Sequence, residues 1–188
     1  MTTIAIALAL GLGFASPFAP AVIVLLEMFM DLGASVAFTS EPSSPTVMRR
    51  RPRNPAAHFL DRAELGSIAI TGLALTVATL PAYLLVRANA GSAAGSAAAV
   101  AAGLSTHAAI AWSLRMNPRL DLRANPTFPV WALTAAATAL LVTLTRLGRE
   151  LGLGTLDLAN LGIAAGTSLA GALVAVAGRR IFGLSARL

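Results

Sequence analysis

Five runs of mostly apolar residues, each long enough to cross a bilayer, constrain this chain more than any motif in it. They cover residues 21–38, 66–86, 91–114, 128–144 and 156–177. A helix rises 1.5 Å per residue, so about 20 apolar residues cover a hydrocarbon core of roughly 30 Å. None of the runs alternates with the period of two that a membrane barrel strand needs. The run at 91–114 is rich in Ala and Gly and only moderately hydrophobic. The expected fold is all-α: a multi-pass membrane helical bundle with five full transmembrane helices.

A sixth apolar segment, residues 3–14, is too short to span. At about 12 residues it covers only about 18 Å. It suits either the apolar region of a signal peptide or the outer half of a helix. A signal peptide needs basic residues before the apolar region, and none is there. The preferred reading is therefore an N-terminal partial helix, with Pro17 and Pro20 turning the chain into the first full span.

Composition agrees with a bilayer as solvent. Hydrophobic residues make up 56% of the 188 and charged residues 12%, against about 25% charged in soluble domains. The mean hydropathy is +0.76. A soluble enzyme, a disulfide scaffold and a disordered tail are excluded. The absence of Cys removes thiolate metal sites and cysteine nucleophiles, and two His residues do not make a histidine-rich zinc site.

The net charge is +6, and every basic residue behind it is Arg, with no Lys. The Arg residues sit between the apolar runs, which points to membrane sidedness and not to nucleic acid. Arg49, Arg50, Arg51, Arg53 and Arg62 fall in one loop, Arg115, Arg119 and Arg123 in a second, and Arg179, Arg180 and Arg187 in the C-terminal tail. Alternating spans put all of these on one side, leaving Arg87, Arg146 and Arg149 on the other. The positive-inside rule makes the Arg-rich side cytoplasmic. Residues 1–188 thus read as one integral membrane domain, with cytoplasmic loops 39–65 and 115–126 and a cytoplasmic tail 179–188. Both termini are cytoplasmic, and the cell membrane is the expected location. Pro42, Pro45, Pro52 and Pro55 make most of the first loop extended. His58 in that loop reads as solvated.

Glu27 and Asp31 are the sharpest chemical signal. Each lies inside the first full span, where a carboxylate costs about 2.5–3.5 kcal/mol on insertion scales. Four residues apart, they share one helix face, about 6 Å from each other along the axis. Such a pair can offer oxygen ligands to a hard cation or hold a proton between them. Gly33, Ala34 and Ser35 follow and allow close packing or local unwinding beside the acids. The plainer alternative is a buried hydrogen bond to another helix.

Other residues carry weaker signals. His107 lies inside the third full span, where a hydrogen bond to a neighbouring helix competes with proton handling. Arg49, Arg50, Arg51 and Arg53 act as topology determinants and are suited to anionic lipid headgroups. The G-x-x-x-G spacings at 91–95 and 162–166 are expected to pack inside the bundle. Asp157 and Asn160 read as cap and interface residues of the last helix. Trp112 and Trp131, near helix ends, read as interfacial anchors.

The stretch PFAPAVIVLLEMFMDLGASVAFTSEPSSPTVMRRRPRNP resembles the sixth membrane helix and following loop of P-type cation-transporting ATPases. In that family an acidic cation site, often N-x-x-T-D, precedes an E-P, a Met and a P-R. Here those elements are Asp31, Glu41-Pro42, Met48 and Pro52-Arg53. THAAIAWSLRMNPRL is similar to the end of the family's eighth helix, and GLGTLDLANLGI to its loop into the tenth. The resemblance spans the chain as the second half of helix five to helix ten. Glu27 and Met30 replace the Asn and Thr of the calcium-pump pattern, giving E-x-x-M-D, so calcium selectivity does not carry over.

The resemblance implies the membrane part of an ion translocase, with Asp31 a cation ligand and Glu27 a second ligand or proton carrier. It also implies that Arg49 to Arg53 dock the catalytic domain. The sequence holds no DKTGT phosphorylation motif, nucleotide-binding domain or P-loop. ATP hydrolysis is not expected of this chain by itself. ATP and Mg belong to a catalytic half, on the same chain or a separate one, and the transported cation is the only ligand expected here. The partners implied are the lipid bilayer and that catalytic half, with no nucleic acid. The alternatives are an accessory subunit, a stand-alone small channel or transporter using the same acids, and a truncated gene product without activity.

Overall fold

The computed structural model describes residues 2–43, 47–49, 62–114 and 124–181. They are helical, with no strand among the described residues. The chain begins with α1 (Thr2–Gly11), and then α2 (Pro20–Glu27) runs through a π-helical turn (Met28–Gly33) into α3 (Ala34–Thr39). After a 3-10 turn at Val47–Arg49 come α4 (Arg62–Ala90) and α5 (Ser92–Leu114). The chain closes with α6 (Thr127–Leu144), the short α7 (Arg146–Glu150) and α8 (Leu158–Ile181).

Five stretches are long and apolar enough to cross a membrane: Pro20–Thr39, Glu64–Ala90, Ser92–Leu114, Thr127–Leu144 and Leu158–Arg180. They coincide with the five runs expected from the sequence, and α1 is the short sixth helix. Pro20 opens α2 at a position where its missing N–H costs nothing.

The centre of the bundle is α5, packed against α4, α8 and α6. Ala97, Ala98, Val100, Ala102 and Thr106 are all but fully enclosed. Small side chains let backbones approach, which is how helices gain contact when lipid supplies no hydrophobic drive between them. At Gly171 on α8 an added Cβ would lie 2.5 Å from the Ala74 carbonyl oxygen of α4. One polar link crosses the same region, Thr106 donating to Ser168 Oγ at 3.0 Å. The opposite surfaces carry Val130, Leu133, Leu169 and Leu173, each more than half exposed, as a lipid-facing surface should.

Two sequence expectations about glycines change here. Gly91 does not offer a helix face. It forms the tight turn between α4 and α5 with φ +87°, where a side chain would be strained. Gly162 and Gly166 have no neighbour within 4 Å of an added Cβ and are exposed, so they face outward and not into the bundle. Asp157 behaves as expected, its Oδ1 accepting from the Asn160 N–H at 2.8 Å to cap α8.

The N-terminal hairpin is pinned to α4. Tyr83 donates its hydroxyl to the Ala15 carbonyl at 3.3 Å, and the Arg87 guanidinium lies 4.4 Å from the centre of the Phe14 ring. That clamp fixes where α2 enters and hence how the acid-bearing helix stands beside the bundle.

Candidate functional site

Glu27 ends α2, and Asp31 sits within the π turn. A π turn widens the helix by one residue and takes backbone carbonyls out of α register. Three contacts accommodate it. The Trp131 indole N–H of α6 donates to the Phe29 carbonyl at 2.8 Å. Ser35 Oγ donates to the Asp31 carbonyl at 2.6 Å. Gly33 leaves the space the indole fills: a Cβ there would fall 2.7 Å from Trp131 Cδ1. The local unwinding expected beside the acids is thus present as a π turn.

Both carboxylates are exposed. Val24, Met28, Leu32 and Val36 are exposed along the same helix. Asp31 also borders an open groove of about 550 Å³, where Ser35 and Thr39 face Thr71 of α4 and His107 of α5. Among the described residues no three His, Asp or Glu side chains converge. Carboxylates such as Asp31 and Glu27 have the chemistry to give oxygens to a hard cation.

His107 closes one wall of the groove. Its ring meets Trp131 edge-on, with centroids 5.9 Å apart. Among the described residues neither ring nitrogen makes a hydrogen bond of good geometry. The Met30 carbonyl and the Asp31 carboxylate are the polar groups that face it. The structure brings His107 to the Asp31 groove, while Glu27 is not among the groove's residues.

Arg49 is exposed at the end of its 3-10 turn. Arg50, Arg51 and Arg53 lie outside the described residues, as do Arg115, Arg119, Arg123 and Arg187. Arg179 and Arg180, assigned from sequence to the tail, still belong to α8. Arg179 is buried and donates to Ser113 Oγ at 2.9 Å.

Two residues near the site were misread or missed. Trp131 is not an interfacial anchor: it is 7% exposed, because its place one turn into α6 aims it at the π turn. Asn125 is fully buried. Its Nδ2 donates to the Ala37 carbonyl at 2.8 Å and to Glu41 Oε2 at 2.7 Å, and its Oδ1 accepts from the Phe128 N–H at 3.1 Å. It fastens the start of α6 to the end of α3. A signal for it exists, an Asn just ahead of Pro-Thr-Phe at the start of an apolar run.

The family described as cation transporting ATPase, C-terminus, matches residues 15–181. The match covers most of the chain, and the chain belongs to that family. Comparison with individual curated proteins gives no match.

Proposed function

We propose that this membrane region of a cation-transporting ATPase supplies Asp31 and Glu27 to the cation pathway, with α4 to α8 as the supporting bundle. One observation carries the reading: two exposed carboxylates stand four residues apart on a membrane helix that passes into a π turn at one of them. Acids facing lipid are costly, and π turns cluster at functional sites. A face of this kind fits a site whose remaining ligands come from other helices of the pump.

In this reading ATP and Mg act on a catalytic half, and its conformational change alternates access to Asp31 and Glu27. Arg49, with Arg50, Arg51 and Arg53, serves as a cytoplasmic docking surface for that half or for anionic headgroups. Both termini face the cytoplasm, and the assembly resides in the cell membrane.

The test is ion-stimulated ATP hydrolysis by the assembly that contains this chain. Asp31→Asn is expected to abolish the stimulation. Glu27→Gln is expected to shift the ion-activation curve while leaving turnover measurable. Wild-type stimulation in Asp31→Asn would overturn the assignment. Ion flux through the purified chain in vesicles, without ATP or partner, would support a free-standing channel instead.

A further inference from the structure

We propose that Trp131 is the positioning residue of the Asp31 site, a latch from α6 that holds the π turn and thereby the carboxylate. The inference rests on the reading of Asp31 as a cation ligand given above.

The argument begins with the Phe29 carbonyl. It belongs to the π turn, whose carbonyls are out of α register, and in hydrocarbon a side-chain donor from another element steadies such a turn. The Trp131 indole has one donor and no acceptor, and it spends that donor on the Phe29 oxygen at 2.8 Å. The bond reaches across 102 positions of sequence, so it fixes α6 to the acid-bearing helix and not a helix to itself.

The fit is reciprocal. A Cβ at position 33 would lie 2.7 Å from Trp131 Cδ1 and 2.8 Å from Nε1. Gly33 is therefore the residue that lets the indole reach the carbonyl. The ring is also held from behind. Phe128 meets it edge-on at 5.3 Å and His107 at 5.9 Å between centroids, and little of it is exposed. An indole enclosed on three sides cannot swing without moving the turn. Asp31 is two residues beyond Phe29 and inside the same turn, so its direction follows the latch. Trp131 acts through the backbone and touches no cation.

The test separates the N–H from the bulk of the ring. Trp131→Phe keeps aromatic volume and loses the donor. Trp131→His loses the six-membered ring but keeps an N–H where the indole has one, because the two five-membered rings superpose. ATP hydrolysis by the assembly containing this chain is titrated with Ca²⁺, Mn²⁺ and Na⁺ separately, and with H⁺ through pH. The cation that stimulates the wild type most is carried forward.

Trp131→Phe is expected to raise the half-activating concentration about tenfold, the loss of one buried hydrogen bond, with the maximal rate within about twofold. Trp131→His is expected to recover most of the affinity. Gly33→Ala, which displaces the indole without removing it, is expected to mimic Trp131→Phe and decides the matter should Trp131→Phe not accumulate. A wild-type activation curve in Trp131→Phe, beside an inactive Asp31→Asn, would overturn the latch alone. A Trp131→His variant weaker than Trp131→Phe would overturn it too, since bulk would then be what matters. An active Asp31→Asn would overturn the reading of Asp31 on which the latch rests.

Discussion

Asn125 should be among the most sensitive polar positions outside the carboxylates. Asn125→Ala removes three hydrogen bonds from a fully buried side chain. Loss of the cap on the Phe128 N–H is worth about 1 kcal/mol. The Ala37 carbonyl, on a fully buried residue, then lacks its side-chain donor, which costs about 1–3 kcal/mol. The Glu41 contact is only partly buried, so solvent recovers much of it and we assign it about 1 kcal/mol or less. The total is about 3 kcal/mol, and in a chain of this size that lowers the unfolding midpoint by about 6–12 °C. The assay is thermal unfolding of the purified protein in detergent, followed by intrinsic fluorescence. Asn125→Asp sharpens the test. It keeps the cap oxygen but replaces the donor facing Glu41 with a second carboxylate, so at neutral pH it should be at least as destabilising as Asn125→Ala. Acidification should restore part of that loss, because protonating either acid removes the repulsion. A midpoint within about 1 °C of wild type for Asn125→Ala would refute the reasoning, as would an Asn125→Asp variant as stable as wild type.

Two further outcomes concern packing. Gly171→Val must push α8 away from the Ala74 carbonyl, which stands 2.5 Å from an added Cβ. Overpacking of this kind costs about 1–3 kcal/mol, and Gly166→Val, on the open face, should cost almost nothing in the same detergent unfolding assay. Arg87→Ala removes the guanidinium over Phe14, a contact worth about 1 kcal/mol. Amide exchange across residues 2–18 should then rise about fivefold while exchange in α5 stays unchanged.

What the sequence made legible follows from the bilayer. A span needs about 20 apolar residues, so the five spans could be read by length, and the acids at 27 and 31 stood out against their neighbours. The faces could not be read so. Spacing singled out Gly162 and Gly166, yet Gly171 makes the close contact, because the docking of α8 on α4 decides which side turns inward. Trp131 lies near a helix end, where an interfacial ring is the ordinary reading. Only the partner turn, 102 residues away, shows that it points inward. The π turn itself has no local code, since it depends on that same distant donor and on the missing Cβ of Gly33. The last apolar run ends at 177 and so leaves Arg179 to the tail, but α8 continues through it and one of its nitrogens donates to the Ser113 hydroxyl.

The helices of this bundle face two different solvents, and that contrast bears on the carboxylates. Over their most apolar 18 residues, 56% of the positions in Ser92–Leu114 are buried within the chain, against 28% in Pro20–Thr39. The first can be built of Ala, Gly and Ser because its surroundings are protein, and small residues are what close packing demands. The second carries Val24, Met28, Leu32 and Val36 on its open side, the composition of a surface meant for lipid or for another helix. Lipid alone does not account for this helix, because Glu27 and Asp31 are exposed on it too. Two ionised carboxylates held in hydrocarbon would cost about 5–7 kcal/mol on insertion scales, comparable with the whole stability of a small domain. A helix partner with polar groups at the height of the π turn would offset that cost, and the apolar residues exposed on this helix would give such a partner a packing surface. If Asp31 and Glu27 bind the cation as proposed, the exposed surface of Pro20–Thr39, more than the enclosed centre at α5, is where cation binding and assembly with the rest of a pump would be coupled.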